Sequence, residues 1–303
     1  MSATDSAPAR SLAAVVVTCN RAQKLQKTLA ALLTQTRAPD TIYVIDNAST
    51  DDTPDVMAGL DDPRIRYRRL DTNTGGAGGF NTGIRLAYED GHDLFWISDD
   101  DAYPAGDAIA GLENMLAAFE RTSGRRAPFA CSRVNWTDGS LSHMNTPAPA
   151  WDFPRWFSPE LDVLLVNTCS FVSVLLPRWA VAEYGLPIRD YFIWHDDVEY
   201  TLRLSRDHPG LFCLNSVVVH DTERNEGATL ANLTPANLWK HRYGVRNQAS
   251  RRLRDEGHFG FLSYAVFVYR KMKAARIPVS LRFRIYRALL AGYRFSPEIE
   301  FPE

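Results

Sequence analysis

The feature that most constrains the fold is Leu94-Phe-Trp-Ile-Ser-Asp-Asp-Asp101, an apolar run that ends abruptly in three carboxylates. An apolar run of this length, bounded by turn formers, is expected to be a buried strand. Three adjacent acids cannot go into the core unpaired, because desolvating each charge costs several kcal/mol. They are therefore expected at the strand's C-terminal edge, where open α/β sheets place their ligands. A divalent cation neutralises such a cluster most directly, and hard oxygen ligands suit Mg2+ or Mn2+. A solvated acidic turn is the competing reading, and only the rest of the chain separates the two.

The preceding segments repeat the theme. Ala13–Thr18 is a β-branched run, followed by a turn at Cys19-Asn-Arg21 and a helix from Ala22 to Thr34 with Leu25, Leu29, Leu32 and Leu33 at helical spacing. Thr41–Asp46 is a second strand that ends in an acid, and Arg64–Leu70 a third. Asn73-Thr-Gly-Gly-Ala-Gly-Gly-Phe80 is expected to be a turn, with a helix from about Asn81 to Asp90. It fails the dinucleotide fingerprint, which wants a glycine where Asn81 stands. Four glycines in five residues still require close approach or positive φ, unless the segment is only a flexible loop. Ala108–Arg121 carries Ile109, Leu112, Leu116 and Phe119 on one helical face. Alternating strands and helices imply βαβ units and a parallel sheet, with the polar ends of strands one, two and four lining one crevice.

The second half is less regular. Pro128–Val134 reads as a strand, Thr137–Ser158 as a long loop with Trp151 and Trp156, and Leu164–Leu176 as an apolar stretch interrupted by Asn167-Thr-Cys-Ser170. Trp179–Tyr184 is a short helix. Tyr191-Phe-Ile-Trp-His-Asp-Asp-Val-Glu199 again ends an aromatic-apolar run in acids, at the start of a helical pattern. Helix capping accounts for one Asp there, not for two plus Glu199. Leu211–His220 is a strand ending in a histidine, a reasonable third metal ligand beside strands that end in carboxylates.

From Asn237 to Arg294 fourteen Lys and Arg face only Asp255 and Glu256, interleaved with Phe261, Leu262, Tyr264, Val266, Phe267, Tyr269, Phe283, Ile285, Leu289 and Leu290 among others. Amphipathic helices on an anionic membrane surface are the favoured reading. A nucleic-acid face and a helical appendage packed on the main domain are its rivals. The net charge of -2 gives no global pull toward nucleic acid, and no nucleic-acid partner is expected. Cys19, Cys131, Cys169 and Cys213 show no metal spacing and are expected to be reduced thiols. Met1–Arg10 lacks an apolar signal-peptide core and is expected to be a disordered lead-in. No run approaches the ~20 apolar residues of a membrane span.

Thr18-Cys-Asn-Arg21, Val44-Ile-Asp-Asn-Ala-Ser-Thr50, the Asn73–Phe80 glycine segment, Asp99-Asp-Asp101 and His195-Asp-Asp-Val-Glu199 together resemble family 2 glycosyltransferases of the GT-A fold. The likeness covers about Ala13 to His220. Trp96-x-x-Asp-Asp-Asp101 and Trp194-His-Asp-Asp197 are most similar to bacterial galactofuranosyltransferases, and less to rhamnosyltransferases. Arg242-Tyr-Gly-Val-Arg-Asn247 is similar to the start of their C-terminal helices. The resemblance implies an α/β fold, a Rossmann-like mixed sheet over 11–225, with a basic helical C-terminal region over 226–303.

It also implies roles. Asp46 would hold uracil, with Thr18 and Arg21 beside it. Asn73, Gly75, Gly76, Gly78 and Gly79 would pack around nucleotide and sugar. Asp99 and Asp100 would face the nucleotide, while Asp99, Asp101 and His220 would hold Mn2+ or Mg2+. Asp197 would be the general base, with Asp196 orienting the acceptor, and Trp194 and His195 would contact acceptor or sugar. His195 is a departure, standing where many relatives carry other residues.

The implied reaction is inverting transfer of galactofuranose from a UDP-sugar to a lipid-linked glycan acceptor in cell-envelope polysaccharide synthesis. It would run in the cytoplasm at the inner face of the membrane, with oligomer formation left open. Rhamnosyl transfer from a dTDP-sugar is the near alternative. A nucleotidyltransferase is disfavoured because Val17–Arg21 lacks glycine, and a non-catalytic glycan-binding protein because both acid clusters and His220 are present.

Overall fold

The computed structural model describes residues 10–155 and 160–303. The expected lead-in, apart from Arg10, and Trp156 lie outside the described residues.

The β-branched runs form a continuous buried sheet. Strands β1 (Leu12–Thr18), β2 (Thr41–Asp46), β3 (Ile65–Arg69) and β4 (Leu94–Asp99) are mutually parallel in the order β3-β2-β1-β4. Helix α1 (Ala22–Leu33) buries Leu25, Leu29 and Leu32 on one side of them. A short helix, α2 (Thr53–Ala58), follows β2. The register puts Thr18 opposite Asp46 and Val17 opposite Asp99, so the polar ends share one edge as expected.

Beyond β4 the parallel expectation gives way to the mixed sheet of the family resemblance. β9 (Val174–Pro177) inserts antiparallel between β4 and β6 (Ala130–Trp136), and β10 (Gly210–His220) runs parallel to β6. β8 (Val163–Thr168) and β7 (Ala148–Pro149) close the far edge. Helix α4 (Ala108–Ser123) covers this half through Ile109, Leu112, Leu116 and Phe119. Helix α5 (Arg178–Tyr184) follows β9, and α6 (Asp196–Leu204) precedes β10.

The glycine segment departs from expectation. It is not a turn before a helix at Asn81 but the first turns of helix α3 (Gly75–Glu89). A Cβ on Gly79 would stand 2.5 Å from Val17 Cγ1, and one on Gly83 would stand 2.3 Å from Val15 Cγ1. These glycines let the helix lie directly on β1. Asn81, where the dinucleotide fingerprint wants glycine, is buried and donates to Pro187 O and Glu300 Oε2, each at 2.8 Å.

The C-terminal region is a helical pair, α7 (Leu238–Ala274) and α8 (Val279–Arg294). Gly257 (φ 66°, ψ -162°) breaks α7 into two helices, in a region of backbone space open essentially to glycine alone. Phe261, Tyr264, Val268, Ile285 and Leu289 pack into a core of their own, so part of the aromatic-aliphatic set serves helix packing rather than an outer face. Among the described residues, no helix is long and apolar enough to cross a membrane.

Candidate active site

Strand β4 delivers the three acids to the sheet edge, and the next residues fold them toward β10. The three-residue strand β5 (Ala102–Pro104) pairs antiparallel with β10 and sets Ala102 opposite His220. This crossover places Asp101 Oδ1 3.1 Å from His220 Nε2. Ligand atoms of Asp99, Asp101 and His220 all lie within 4.8 Å of one another.

Asp100 turns the other way. Its carboxylate accepts from Thr18 Oγ1 at 2.6 Å and Arg21 Nη1 at 3.1 Å. Arg21 also reaches Asp101 Oδ2 at 2.5 Å, and Lys24 stands 3.8 Å from the same oxygen. Burial, with the charges of Asp101 and Asp100, pushes the Asp99 carboxyl up. Burial would raise Asp101 too, but the His220 hydrogen bond and the charges of Arg21 and Lys24 outweigh it and hold Asp101 below the usual range.

Asn145, which no sequence signal marked, fixes the histidine. Asn145 Oδ1 accepts from Ser142 Oγ at 2.6 Å and its Nδ2 donates to Ser170 Oγ at 2.7 Å. The amide oxygen, so placed, faces His220 Nδ1 at 2.8 Å as a hydrogen-bond partner for the ring. Nε2 is the nitrogen turned to Asp101 Oδ1, 3.1 Å away, where it donates to the carboxylate when it carries a proton and offers its lone pair to a cation when it does not. Adjacent octahedral ligands at about 2.1 Å from a metal stand about 3 Å apart, so the pair fits Mn2+ or Mg2+. Asn145→Ala is expected to weaken Mn2+ binding about 10–100-fold, measured by calorimetric titration in the presence of UDP.

The nucleotide-side residues divide. Asp46 is fully buried, accepting from Ser49 N at 2.8 Å and Tyr67 Oη at 2.5 Å, so it holds the loop after β2. Thr18 is likewise committed to Asp100, and Arg21 lies on the acid cluster rather than beside Asp46. Asn73 Oδ1 accepts from Gly75 N at 2.8 Å, and Asn47 bonds both Thr74 N and Gly75 O. Gly75 has φ +72°, and a Cβ there would meet Phe192 O at 1.9 Å. Gly78 is buried against Thr74 and Gly79 against Val17. Of the four, only Gly76 has no neighbour within 4 Å of where its Cβ would be. Close packing explains three of the glycines, and the space beside Gly76 is open.

The second acid pair opens α6. The N-cap residue is His195, in the left-handed region, and its side chain makes no cap hydrogen bond. Asp197 Oδ1 accepts only the adjacent Val198 N–H, at 2.7 Å. Glu199 belongs elsewhere, buried between Arg203 at 3.0 Å and Arg254 at 2.8 Å. Burial pushes Asp197 up to about 6, near the operating pH of a general base. Burial and the Asp197 charge push Asp196 up as well. Burial, with Arg251 and Arg252 nearby, lowers His195 to about 4, so the ring is neutral at neutral pH. Trp194 and His195 line a cavity of about 240 Å3 together with Thr229, His241, Gln248 and Tyr264.

The two acid clusters share one framework. Thr201 Oγ1 of α6 bonds Asp197 O at 2.7 Å and accepts from Cys169 N at 3.2 Å, and the next residue, Ser170, holds Asn145. All four cysteines are free thiols, as expected.

A parallel half-sheet with polar strand ends, a carboxylate–histidine cluster and a second, separate carboxylate pair are the arrangement expected from the glycosyltransferase resemblance. Residues 13–169 match the family model described as Glycosyl transferase family 2, and the chain belongs to that family. It is 34% identical over 226 residues to galactofuranosyltransferase GlfT1 of Mycobacterium tuberculosis, covering 71% of this chain and 72% of that one. The Mycolicibacterium smegmatis protein of the same name is 34% identical over 252 residues, covering 78% and 80%. Among solved structures, GalNAc-T7 with UDP, GalNAc and Mn2+ superposes with TM-score 0.61 at 15% identity, over 92% of this chain and 54% of that one. Staphylococcus aureus TarS (1–349) superposes with TM-score 0.58 at 15% identity, over 94% and 80%. These likenesses confirm the GT-A fold.

Proposed function

We propose that this enzyme is an inverting, metal-dependent galactofuranosyltransferase that transfers galactofuranose from UDP-galactofuranose to a lipid-linked glycan. The observation that carries the metal-dependent reading is the convergence of Asp99, Asp101 and an Asn145-oriented His220 on one point. The similarity to galactofuranosyltransferases over more than two thirds of the chain supports the sugar.

Asp99, Asp101 and His220 would hold Mn2+ or Mg2+. When bound, the cation stabilises the charge that develops on the nucleoside diphosphate leaving group. Gly76 and Asn73 border the nucleotide and sugar. Trp194 and His195, which precede the acid pair and line a cavity, would receive an acceptor sugar. Asp197 takes the proton of the acceptor hydroxyl as its oxygen attacks the anomeric carbon and UDP departs from the opposite face, which inverts that carbon. Measuring UDP or dTDP release from a panel of nucleotide sugars tests the donor. UDP-galactofuranose is expected to be used best, and preference for a dTDP-sugar such as dTDP-rhamnose would replace this reading.

The C-terminal helices support docking at the inner face of the membrane. Phe259, Leu262, Val266 and Tyr269 are exposed at spacings of three and four along α7, and Val279, Phe283 and Leu290 are exposed at spacings of four and seven along α8. Arg242, Arg284 and Arg287 line one groove with no carboxylate among its lining residues. Basic residues near an anionic surface gain on the order of 1 kcal/mol each. The protein is expected to sediment with phosphatidylglycerol vesicles and to be released by high salt, and Phe259→Glu with Phe283→Glu is expected to weaken that binding. Equal sedimentation with neutral phosphatidylcholine vesicles contradicts the electrostatic account.

A further inference from the structure

The segment between α5 and α6 adopts an unusual backbone. Phe192 (φ 65°), Trp194 (φ 65°) and His195 (φ 66°) are three non-glycine residues at positive φ within four positions. Such conformations are sparsely populated and persist only where the surroundings over-determine them. The segment leads directly into Asp196 and Asp197.

What over-determines it comes from α7. Asn247 is fully buried, and its Nδ2 donates to the carbonyls of Tyr191 at 2.9 Å, Ile193 at 3.2 Å and Trp194 at 2.8 Å. Its orientation is set from behind, since Oδ1 accepts from Arg246 Nε at 3.0 Å and Nη2 at 2.8 Å. Arg246 Nη2 also donates to Asp190 O at 2.8 Å. Gly244 makes room for the strained segment, because a Cβ there would stand 3.0 Å from Trp194 Cε3. On the other side, Phe192 O accepts from Ala77 N at 3.2 Å, at the start of α3. One strained loop therefore spans from the glycine helix on the donor side to the acid pair, and one buried amide holds three of its carbonyls.

We infer that Asn247 is a positioning residue for catalysis: it sets where Asp197 stands relative to the donor crevice, acting through the 191–195 loop. The inference rests on Asp197 being the base. It makes the first half of α7 part of the catalytic apparatus as well as part of the helical pair.

The test is Asn247→Asp, which keeps the shape but turns the donor facing three carbonyls into an acceptor. Displacement of a reacting group by about 1 Å costs about 100-fold in rate. The kcat for transfer is expected to fall by about that factor, with Mn2+-dependent UDP binding by calorimetry and donor KM unchanged. Arg246→Gln, which leaves Asn247 in place but frees its amide to turn, is expected to give a smaller loss with the same split. It carries the test if Asn247→Asp does not fold. Unchanged kcat in a folded variant overturns the inference. So does a parallel fall of kcat, UDP binding and melting temperature, which marks a purely structural role. The assays use whichever nucleotide sugar the wild-type enzyme turns over, so failure of the galactofuranose assignment is read separately, from the wild type alone.

Discussion

Replacing Asp197 by asparagine lowers transfer at saturating donor and acceptor by about 10²–10⁴-fold while donor binding is retained. The amide is almost isosteric and its oxygen still accepts the Val198 N–H, so the start of α6 survives. What is lost is a group able to take a proton near neutral pH. Asp196→Asn is expected to be milder, on the proposal that Asp196 orients the acceptor and Asp197 takes the proton. If Asp196→Asn is dead while Asp197→Asn turns over, the base is the neighbouring residue. If both remain active, the pair only shapes the helix start. The pH profile gives an independent check. Burial pushes Asp197 up to about 6, and the base works only when ionised. Transfer is therefore lost as pH falls through about 6 and levels off above it. In Asp197→Asn that acidic limb disappears.

Removing Asp101 by substitution with alanine is expected to abolish metal-dependent UDP binding and turnover, with the fold intact. Asp101 is the residue on which His220, Arg21 and Lys24 converge, and its carboxylate is held ionised by them. Without it, the proposed site keeps one carboxylate and one imidazole, and its charge no longer matches a divalent cation. Arg21 retains Asp100, and Lys24 retains Asp221 at 3.7 Å, so neither cation is left without a counterion. Calorimetry of Asp101→Ala with UDP and Mn2+ reads the effect. Unchanged Mn2+-dependent binding takes this aspartate out of the site.

The catalytic half of the fold was legible because its signals are local. Apolar runs with polar ends, acidic in β2 and β4, locate β1, β2 and β4, and parallel register then aligns those ends without further information. The glycine segment meets the expectation of positive φ, at Gly75, and of close approach, at Gly79, but as a helix rather than a turn, because its glycines serve a long-range contact of helix against strand. From sequence alone, a glycine required by Val17 or Val15 looks like a glycine required by a turn. The antiparallel insertion of β9 was invisible for a related reason, since Val174–Pro177 is four residues long and names no partner.

Asn145 carries no sequence signal, and Asn247 stands out only as the end of the Arg242–Asn247 segment, because a single polar residue in a loop or helix has no periodicity that shows its role. Their importance comes from partners about 50 to 75 residues away in sequence. The basic and apolar residues of the C-terminal stretch predict helices, and α7 and α8 stand there. Which of its apolar residues turn inward was settled only by the pairing of α7 with α8, which buries Phe261 and Ile285 and leaves Phe259 and Phe283 outside.

The most direct test of the central claim is product analysis with purified enzyme, UDP-galactofuranose, Mn2+ and a lipid-linked glycan acceptor. The account predicts a galactofuranosylated acceptor whose new linkage has the anomeric configuration opposite to the donor's, with no product once the metal is chelated. Retention of configuration, transfer that persists in chelator, or transfer of a different sugar in preference to galactofuranose would contradict it.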